Sequence, residues 1–379
     1  MEKYMNKYNC YRIVLLIIIA ICTSCSDFNL ENKYDTYVVF LDNNPENEHN
    51  IFQVYKNDSL VFSEEQRNFC YYCYPQIADG HLVFIRIERD LDTGDVSHTL
   101  FRDCEPYANL DFLDKYNGLY NDFPTLLGFA NGHYIYYDKT SYSNGEPIVV
   151  RQFLDTDSEL FTLEDTHEAL SPHMLGCVFY DEQTGDYYIS GVAKCRSYHF
   201  DVYWKNTKET VLPNTYYDTP EGYASIAYPA KIVVHKGEVI LYTTNFYWKG
   251  DVRYNSDDPM KSVMNMISEN GHLYALVTDK KPYESNNGNG NLAHAYQNVY
   301  LYKDDKLVCE NENVLFPKCL HVINDNFYYM AVDTTGEHAK YTVWKNNEKF
   351  FEAGYFDDSV YYMGTADYYY SFFCNGEET

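Results

Sequence analysis

Basic residues are scarce in this chain. It has 29 Lys and Arg against 56 Asp and Glu, a formal charge of −27 over 379 residues. Apart from the adjacent Lys280 and Lys281 the cations stand singly, with no basic stripe. Affinity for nucleic acid grows from counterions released off phosphates, and it needs such a stripe. Nucleic acid is therefore excluded as a partner, and so is adhesion of the folded part to an anionic membrane surface. Tryptophan (3) and methionine (8) are rare. No GxSxG, HExxH or P-loop is written anywhere, so those motif-defined chemistries are excluded. Beyond the first 25 residues a single CxxC, Cys70 to Cys73, has no second pair to complete a zinc site. Its flanks, NFCYYCYPQ, read as strand or loop rather than the helix start of a thioredoxin-like motif. Strong helix signals are missing; SVMNMIS (262–268) fits an innermost strand as well as a helix.

What the chain has in abundance is tyrosine, 42 residues, within a hydrophobic share of 45%. Tyrosine suits a pleated, half-buried surface while its hydroxyl reaches water or a partner. The composition argues for β structure with a large core.

The amino terminus reads MEKYMNKYNCYRIVLLIIIAICTSC. Lys3, Lys7 and Arg12 make a positive n-region, and Ile13 to Ile21 an apolar run. A membrane-spanning helix needs about 20 apolar residues, so the run is too short for one and fits an export signal. The segment CTSC resembles the lipobox of bacterial lipoproteins, with Cys22 where leucine is commonest. The resemblance implies cleavage of residues 1–24 and acylation of Cys25. It also implies a membrane partner through the anchor, since two or three acyl chains hold a soluble domain at a bilayer. Residues 25–34 then form an acidic tether. Ser26-Asp27 resembles the surface-export signal of Bacteroidota-type lipoproteins, although Phe28 interrupts its acidic run. Cell-surface display on the outer membrane is favoured over the periplasmic face.

Two phrases recur through residues 35–379. One is a turn followed by an aromatic run: DGHLVFIRI (79–87), NGHYIYYD (131–138), TGDYYISGV (184–192), KGEVILYTT (236–244), NGHLYALVTD (270–279), NDNFYYMAVD (324–333) and DDSVYYMGT (357–365), with KYDTYVVFLD (33–42) a looser copy. Gly or Asn supplies the positive φ of a tight turn. The second phrase is aromatic–Lys–polar–polar, as in VYWKNTKETVL (202–212), VYKNDSLVF (54–62), VYLYKDDKLV (299–308) and TVWKNNEKFF (342–351). Together they give about four short strands per repeat. No repeat can bury its small sheet alone, whereas a ring of stacked sheets can. The expected fold is a single all-β domain over 35–379: a β-propeller of about seven blades, with eight the alternative, each of four short antiparallel strands. The last hairpin is expected to close the ring near the first strands. The second phrase resembles the Trp-Lys-Asn-Gly hairpin of secreted β-propeller lipoproteins. Residues 202–206 and 343–346 match best, Phe373 to Gly376 less well, and the fourth-position glycine is replaced at Thr207 and Asn347. The resemblance implies the fold and no activity.

Candidate chemistry is thin. Cys70, Cys73, Cys104, Cys177, Cys195, Cys309, Cys319 and Cys374 permit disulfides, ordinary packed thiols, or metal or redox chemistry. DLDTGD (90–95) and DTDSE (155–159) space carboxylates as calcium loops do, without the closing Glu. No other cofactor is expected. His167 and His173 are the nearest histidine pair. His81, His133 and His272 each follow a turn glycine, which argues for a structural role, and Trp204 and Trp344 in a repeated frame argue for packing between blades. Ligand contacts are expected in aromatic loops gathered on one propeller face: Tyr116, Tyr120, Tyr142, Tyr216, Tyr217, Tyr223 and Tyr283, beside Asn and Asp that suit sugar hydroxyls. The expected function is a non-catalytic envelope lipoprotein binding a polysaccharide or an envelope protein there. The alternatives are a glycan-active hydrolase or lyase with carboxylates in the central channel, and a structural component of an envelope complex.

Overall fold

A computed structural model describes residues 35–42, 50–66, 70–113, 125–137, 148–163, 171–195, 198–212, 230–243, 246–249, 252–255, 261–284, 292–323, 325–333, 335, 340–355 and 370–375. Cys25 and the leader lie outside them. Apart from one 3-10 turn at Asp111–Leu113, the regular structure described is strand.

Every pairing between neighbouring strands is antiparallel. β1 (Asp35–Asp42), β2 (Asn50–Lys56) and β3 (Ser59–Gln66) form a sheet with β27 (Tyr370–Asn375) in the order β27-β1-β2-β3. β4 (Cys70–Ala78), β5 (His81–Arg89), β6 (Val96–Arg102) and β7 (Glu105–Asn109) make the second. β8 (Thr125–Ala130), β9 (His133–Tyr137), β10 (Val149–Phe153) and β11 (Asp157–Thr162) make the third. The fourth is β12 (Ser171–Asp181), β13 (Asp186–Cys195), β14 (Tyr198–Lys205) and β15 (Lys208–Val211). The fifth is β16 (Lys231–His235), β17 (Glu238–Tyr242), β18 (Phe246–Lys249) and β19 (Val252–Asn255). The sixth has seven strands: β20 (Lys261–Glu269), β21 (His272–Glu284), β22 (Leu292–Lys303), β23 (Lys306–Ile323), β24 (Asn326–Asp333), β25 (Lys340–Lys345) and β26 (Glu348–Tyr355).

The arrangement is a β-propeller. β8 lies against β12, β12 against β16, β16 against β20, β20 against β23, β23 against β27, and β27 against β4. These are the innermost strands, and successive sheets radiate from them. Where about seven or eight blades were expected, hydrogen bonding groups the strands into six sheets. The physical reason is β23, an 18-residue strand. Its first part pairs with β22 (Lys303 opposite Lys306, Gln297 opposite Leu315), and its last part pairs with β24 (Val314 opposite Asp333, Ile323 opposite Asn326). One continuous backbone therefore fuses two groups of strands. SVMNMIS falls in β20, on the inner side of its sheet.

Inner strands are bulged. The register slips in β4 between Cys73 and Gln76, in β8 between Leu126 and Gly128, in β12 between Leu175 and Val178, and in β20 between Val263 and Asn265. A bulge bends a strand and raises its twist, which suits a strand curving along an axis. Gly128 shows what crowding there demands: its φ is +144°, and a Cβ would meet Val178 of the next sheet at 3.3 Å.

The core lies between sheets. Phe52 and Tyr37 of the first pack with Tyr72, Phe84 and Phe101 of the second. Val83 and Leu100 of the second pack with Tyr134, Tyr136 and Phe153 of the third. Ile135 and Val150 of the third pack with Ile189, Val202 and Trp204 of the fourth. Val38 and Phe40 meet Met330, Val332 and Val343, which closes the circuit. Each four-stranded sheet has two apolar faces and satisfies both only against its neighbours.

The recurring Lys-Asn phrase is a clasp. The residue after the lysine or arginine adopts a positive φ (+47° to +55°) at Asn57, Asp103, Asn206, Asp304 and Asn346. There its side-chain oxygen accepts a backbone N–H at the start of the neighbouring strand: from Thr36 (2.9 Å), Leu82 (3.1 Å), Tyr187 (2.9 Å), Leu273 (3.1 Å) and Phe327 (3.0 Å). Its own N–H donates back to the carbonyl of that same residue. The preceding residue completes the match by chemistry. Where the turn is Asn, its amide donates to Asp35, Asp186 or Asn326 at 2.8–3.1 Å. Where the turn is Asp, a histidine faces it instead, His81 to Asp103 and His272 to Asp304, both 2.5 Å. The cation before the turn covers a tyrosine: Lys56 over Tyr37, Lys205 over Tyr188, Lys303 over Tyr274 and Lys345 over Tyr328, at 5.3–5.7 Å from the ring centroid.

This pairing rule can be tested by swapping it. His81→Asp alone sets two carboxylates together and is expected to lower stability by about 1–2 kcal/mol. His81→Asp with Asp103→Asn recreates the Asp35–Asn57 arrangement and should recover to within about 0.5 kcal/mol of the parent. Chemical denaturation measures both; equal losses in the single and double variants would contradict the clasp.

The clasp also carries a pH signature. The Lys205 ammonium holds Asp186 down at about 2, and His272 holds Asp304 down at about 2. A folded pKa below the unfolded value, about 4 for aspartate, adds stability that is complete above pH 4. That stability is lost as pH falls from about 4 to 2. Thermal midpoints should be flat above about pH 5 and drop across this window. Asp186→Asn should shallow the drop, as followed by circular dichroism from pH 6 to 2.

Candidate functional site

The two ends of the sheets differ. At one end, innermost strands turn into their neighbours, and third strands into outermost ones, through tight turns such as Asn57-Asp58, Asp79-Gly80, Asn206-Thr207 and Asn270-Gly271. The clasps tie this end shut. The long connections leave from the other end. Residues 110–124 join β7 to β8, 138–148 join β9 to β10, 212–230 join β15 to β16, and 285–291 join β21 to β22. Antiparallel alternation puts all four at the same edge.

Tyr116, Tyr120, Tyr142, Tyr216, Tyr217 and Tyr223 fall in these connections and lie outside the described residues. Tyr283, expected in a loop, belongs to β21 instead, opposite Ala293 of β22 one step from the strand end. Pattern reading stopped that strand early because Lys280 to Glu284 are polar and contain Pro282.

The axis is lined by β4, β8, β12, β16, β20, the last part of β23, and β27. Their acidic residues are Asp181 and Glu269, both at the tight-turn end of a strand. Asp181 is spent on its own turn, accepting from the Gln183 N–H and the Thr184 hydroxyl at 3.0 Å each. These strands bring no pair of carboxylates together along the channel.

The acidic loops have local explanations. In DLDTGD, Asp90 accepts the N–H groups of Asp92 (2.7 Å) and Thr93 (3.0 Å), and Gly94 N–H returns to the Asp90 carbonyl. In DTDSE, Asp157 receives the Arg151 guanidinium fork at 2.6–3.1 Å and the Tyr136 hydroxyl at 2.7 Å. Among the described residues no three His, Cys, Asp or Glu gather as a metal site. His167 lies outside the described residues, and of His173 only the backbone is described, within β12.

Among the cysteines described with their side chains, Cys70, Cys73, Cys104, Cys177 and Cys309 are free thiols. Burial pushes the thiols of Cys70 and Cys73 up, and Cys104 up to about 12. A thiolate is the reactive species, so the CxxC pair is poorly poised for exchange. It sits in a bulged inner strand, where Cys73 donates to the Ile85 carbonyl at 3.5 Å. Trp204 is fully buried in a cluster between the third and fourth sheets, and Trp344 nearly so in a cluster within the seven-stranded sheet. Neither presents a face to a ligand.

Sequence reasoning missed a cleft at the tight-turn end. It has a volume of about 540 Å³ and lies where β23, β24 and the β25–β26 turn meet. Val308, Cys309 and Phe327 form its apolar wall, and Asp325, Lys345, Asn347 and Glu348 its polar side. Cys309 donates to Asn347 Oδ1, and burial lifts its thiol to about 11. The signal available was one residue: Cys309 stands where the parallel phrase at 54–62 has Phe62.

The chain is a β-propeller protein. It is similar to the β-propeller domain of the Trilobed protease from Pyrococcus furiosus, with 8% identity, coverage of 76% of this chain and 85% of that one, and a TM-score of 0.42. It is also similar to a glycosyl hydrolase from Bacteroides ovatus (10%, 75% and 87%, 0.30) and to TolB from Acinetobacter baumannii (10%, 83% and 65%, 0.29). At these identities the likeness concerns the fold alone. No family model and no curated protein matches the chain.

Proposed function

We propose that this protein is a lipid-anchored envelope propeller, held at the outer membrane through Cys25, that binds a glycan or protein partner on its long-connection face. The observation that carries the reading is the asymmetry of the sheet ends. One end is tied by clasps, while the connections holding Tyr116, Tyr120, Tyr142, Tyr216, Tyr217 and Tyr223 depart from the other. Tyrosines beside Asn and Asp offer ring faces for sugar C–H groups and acceptors for hydroxyls.

The ring counts seven units in this reading. Seven inter-strand-group clusters among the described residues support it: one, built from Leu276, Val299 and Leu301 with Tyr329, Ala331 and Trp344, divides the seven-stranded sheet as the others divide neighbouring sheets. β23 then serves as the last strand of one unit and the first of the next.

The test is a binding screen of the anchored protein against surface polysaccharides and solubilised envelope proteins, run beside Tyr216→Ala/Tyr217→Ala. A partner retained by the parent and weakened at least about tenfold by the pair supports the reading. Empty screens, or release of a sugar fragment by the parent, count against it. Cys25→Ser should leave the protein unlabelled by a palmitate analogue and free of the membrane.

A further inference from the structure

The cleft at the tight-turn end is lined by Cys309, at a register position where a related strand carries phenylalanine. The first sheet and the β20–β23 group follow one plan. Val54 lies opposite Phe62 after a register slip, and Leu301 lies opposite Cys309 after the same slip. Phe62 projects between sheets and meets Tyr72, Phe84 and Phe101 with ring centroids 5.5–6.0 Å away. The counterparts of Phe84 and Phe101 are Tyr329 and Trp344, which pair in the same register. Cys309 packs beside both. The third occurrence, Phe351 opposite Val343, again fills its junction, 5.1 Å from Tyr55. Ala108 is small too, but it packs in a cluster with Tyr134, Tyr136 and Phe153. At Cys309 a cleft opens.

A phenyl ring is thus missing from a wall otherwise built to receive one. Val308 and Phe327 flank the space, and both signs of charge stand on its rim: Lys345 and Glu348, opposite each other at the β25–β26 turn, and Asp325, which also pairs with Lys303 at 3.2 Å. The volume, about 540 Å³, falls within the ~300–1,000 Å³ common for small-ligand sites. We propose that this cleft binds an aromatic amino acid, free or at the end of a short peptide. Its ring takes the place that Phe62 fills elsewhere, its carboxylate faces Lys345, and its ammonium faces Asp325 and Glu348. Asn347, whose Oδ1 already accepts from the Cys309 thiol, leaves its amide for the carboxylate. The site lies at the opposite end of the sheets from the long connections, so either assignment can fail alone.

Saturation-transfer NMR on the full chain tests it, with L-phenylalanine, L-alanine and methyl α-glucoside as probes. Phenylalanine should show ring-proton transfer and the other two at most a tenth of it. Cys309→Phe supplies the missing ring in cis and should cut phenylalanine binding at least tenfold. Val308→Trp, a change at an exposed position on the rim, should do the same without entering the core, so a folding defect in the first variant leaves the test intact. Tyr216→Ala/Tyr217→Ala should leave the signal unchanged. No transfer from phenylalanine, equal transfer from the glucoside, or binding that survives both blocking variants overturns the proposal.

Discussion

Deleting residues 370–379 is expected to cost this protein about 5 kcal/mol or more and to broaden its unfolding. β27 pairs with β1 over six positions, from Asp35 opposite Asn375 to Phe40 opposite Tyr370. It also touches β23 on one side and β4 on the other. Removing it strips the inner edge of β1 of its partners at about 1 kcal/mol per hydrogen bond. It also opens the circuit between the last-formed group and the first sheet, where Phe40 packs on Tyr341. Total stabilities run to only about 5–15 kcal/mol, so the loss is of the same order as the whole. Calorimetry should show a thermal midpoint lower by at least about 10 °C. A midpoint within about 2 °C of the parent would mean that the terminal strand is dispensable and the ring does not depend on it.

The second large effect belongs to Trp204. It is fully buried between the third and fourth sheets, among Ile135, Val150, Ile189 and Val202. Trp204→Ala removes a large apolar surface and leaves a cavity, an expected loss of about 3–5 kcal/mol. Trp204→Phe should cost far less, about 1–2 kcal/mol. Its indole Nε1 has no hydrogen-bond partner in the folded chain, so losing that N–H removes a desolvation penalty and partly offsets the smaller ring. Urea denaturation of the two variants decides. Equal losses would point to a hydrogen bond at Nε1 rather than to packing.

These effects show what could be read from sequence. The repeated strand-turn pattern is legible because each unit meets the same problem, two apolar faces and one exposed turn. The same residue types solve it at Asn57, Asn206 and Asn346. The histidines at 81 and 272 were legible as structural for the same reason, although the swap of Asn for Asp that explains them needs atomic partners. The sheet count was not legible, because nothing in Lys306–Ile323 marks where one unit ends. The strand passes through with Pro317 and a positive φ at Cys319 instead of a loop. Tyr283 was misplaced because the hairpin backbone continues past the apolar run of β21, with Lys280 to Glu284 paired to residues 292–296. The cleft escaped because a vacancy is a residue that is absent, and only register alignment of Cys309 with Phe62 exposes it. The expected tyrosine contacts depend on connections whose conformation periodicity does not encode.

The closed ring is the claim on which the rest stands, and one substitution probes it directly. Thr36 lies opposite Cys374 across the β1–β27 pair, and directly opposed residues of antiparallel strands approach within disulfide reach. Thr36→Cys, mildly oxidised, should join residues 36 and 374 into one cross-linked peptide on mass spectrometry, with faster migration on a non-reducing gel. If position 36 instead stays a free thiol, or pairs with a different cysteine while Cys374 remains labelled, the two ends of the chain do not share a sheet and the ring is not closed as described.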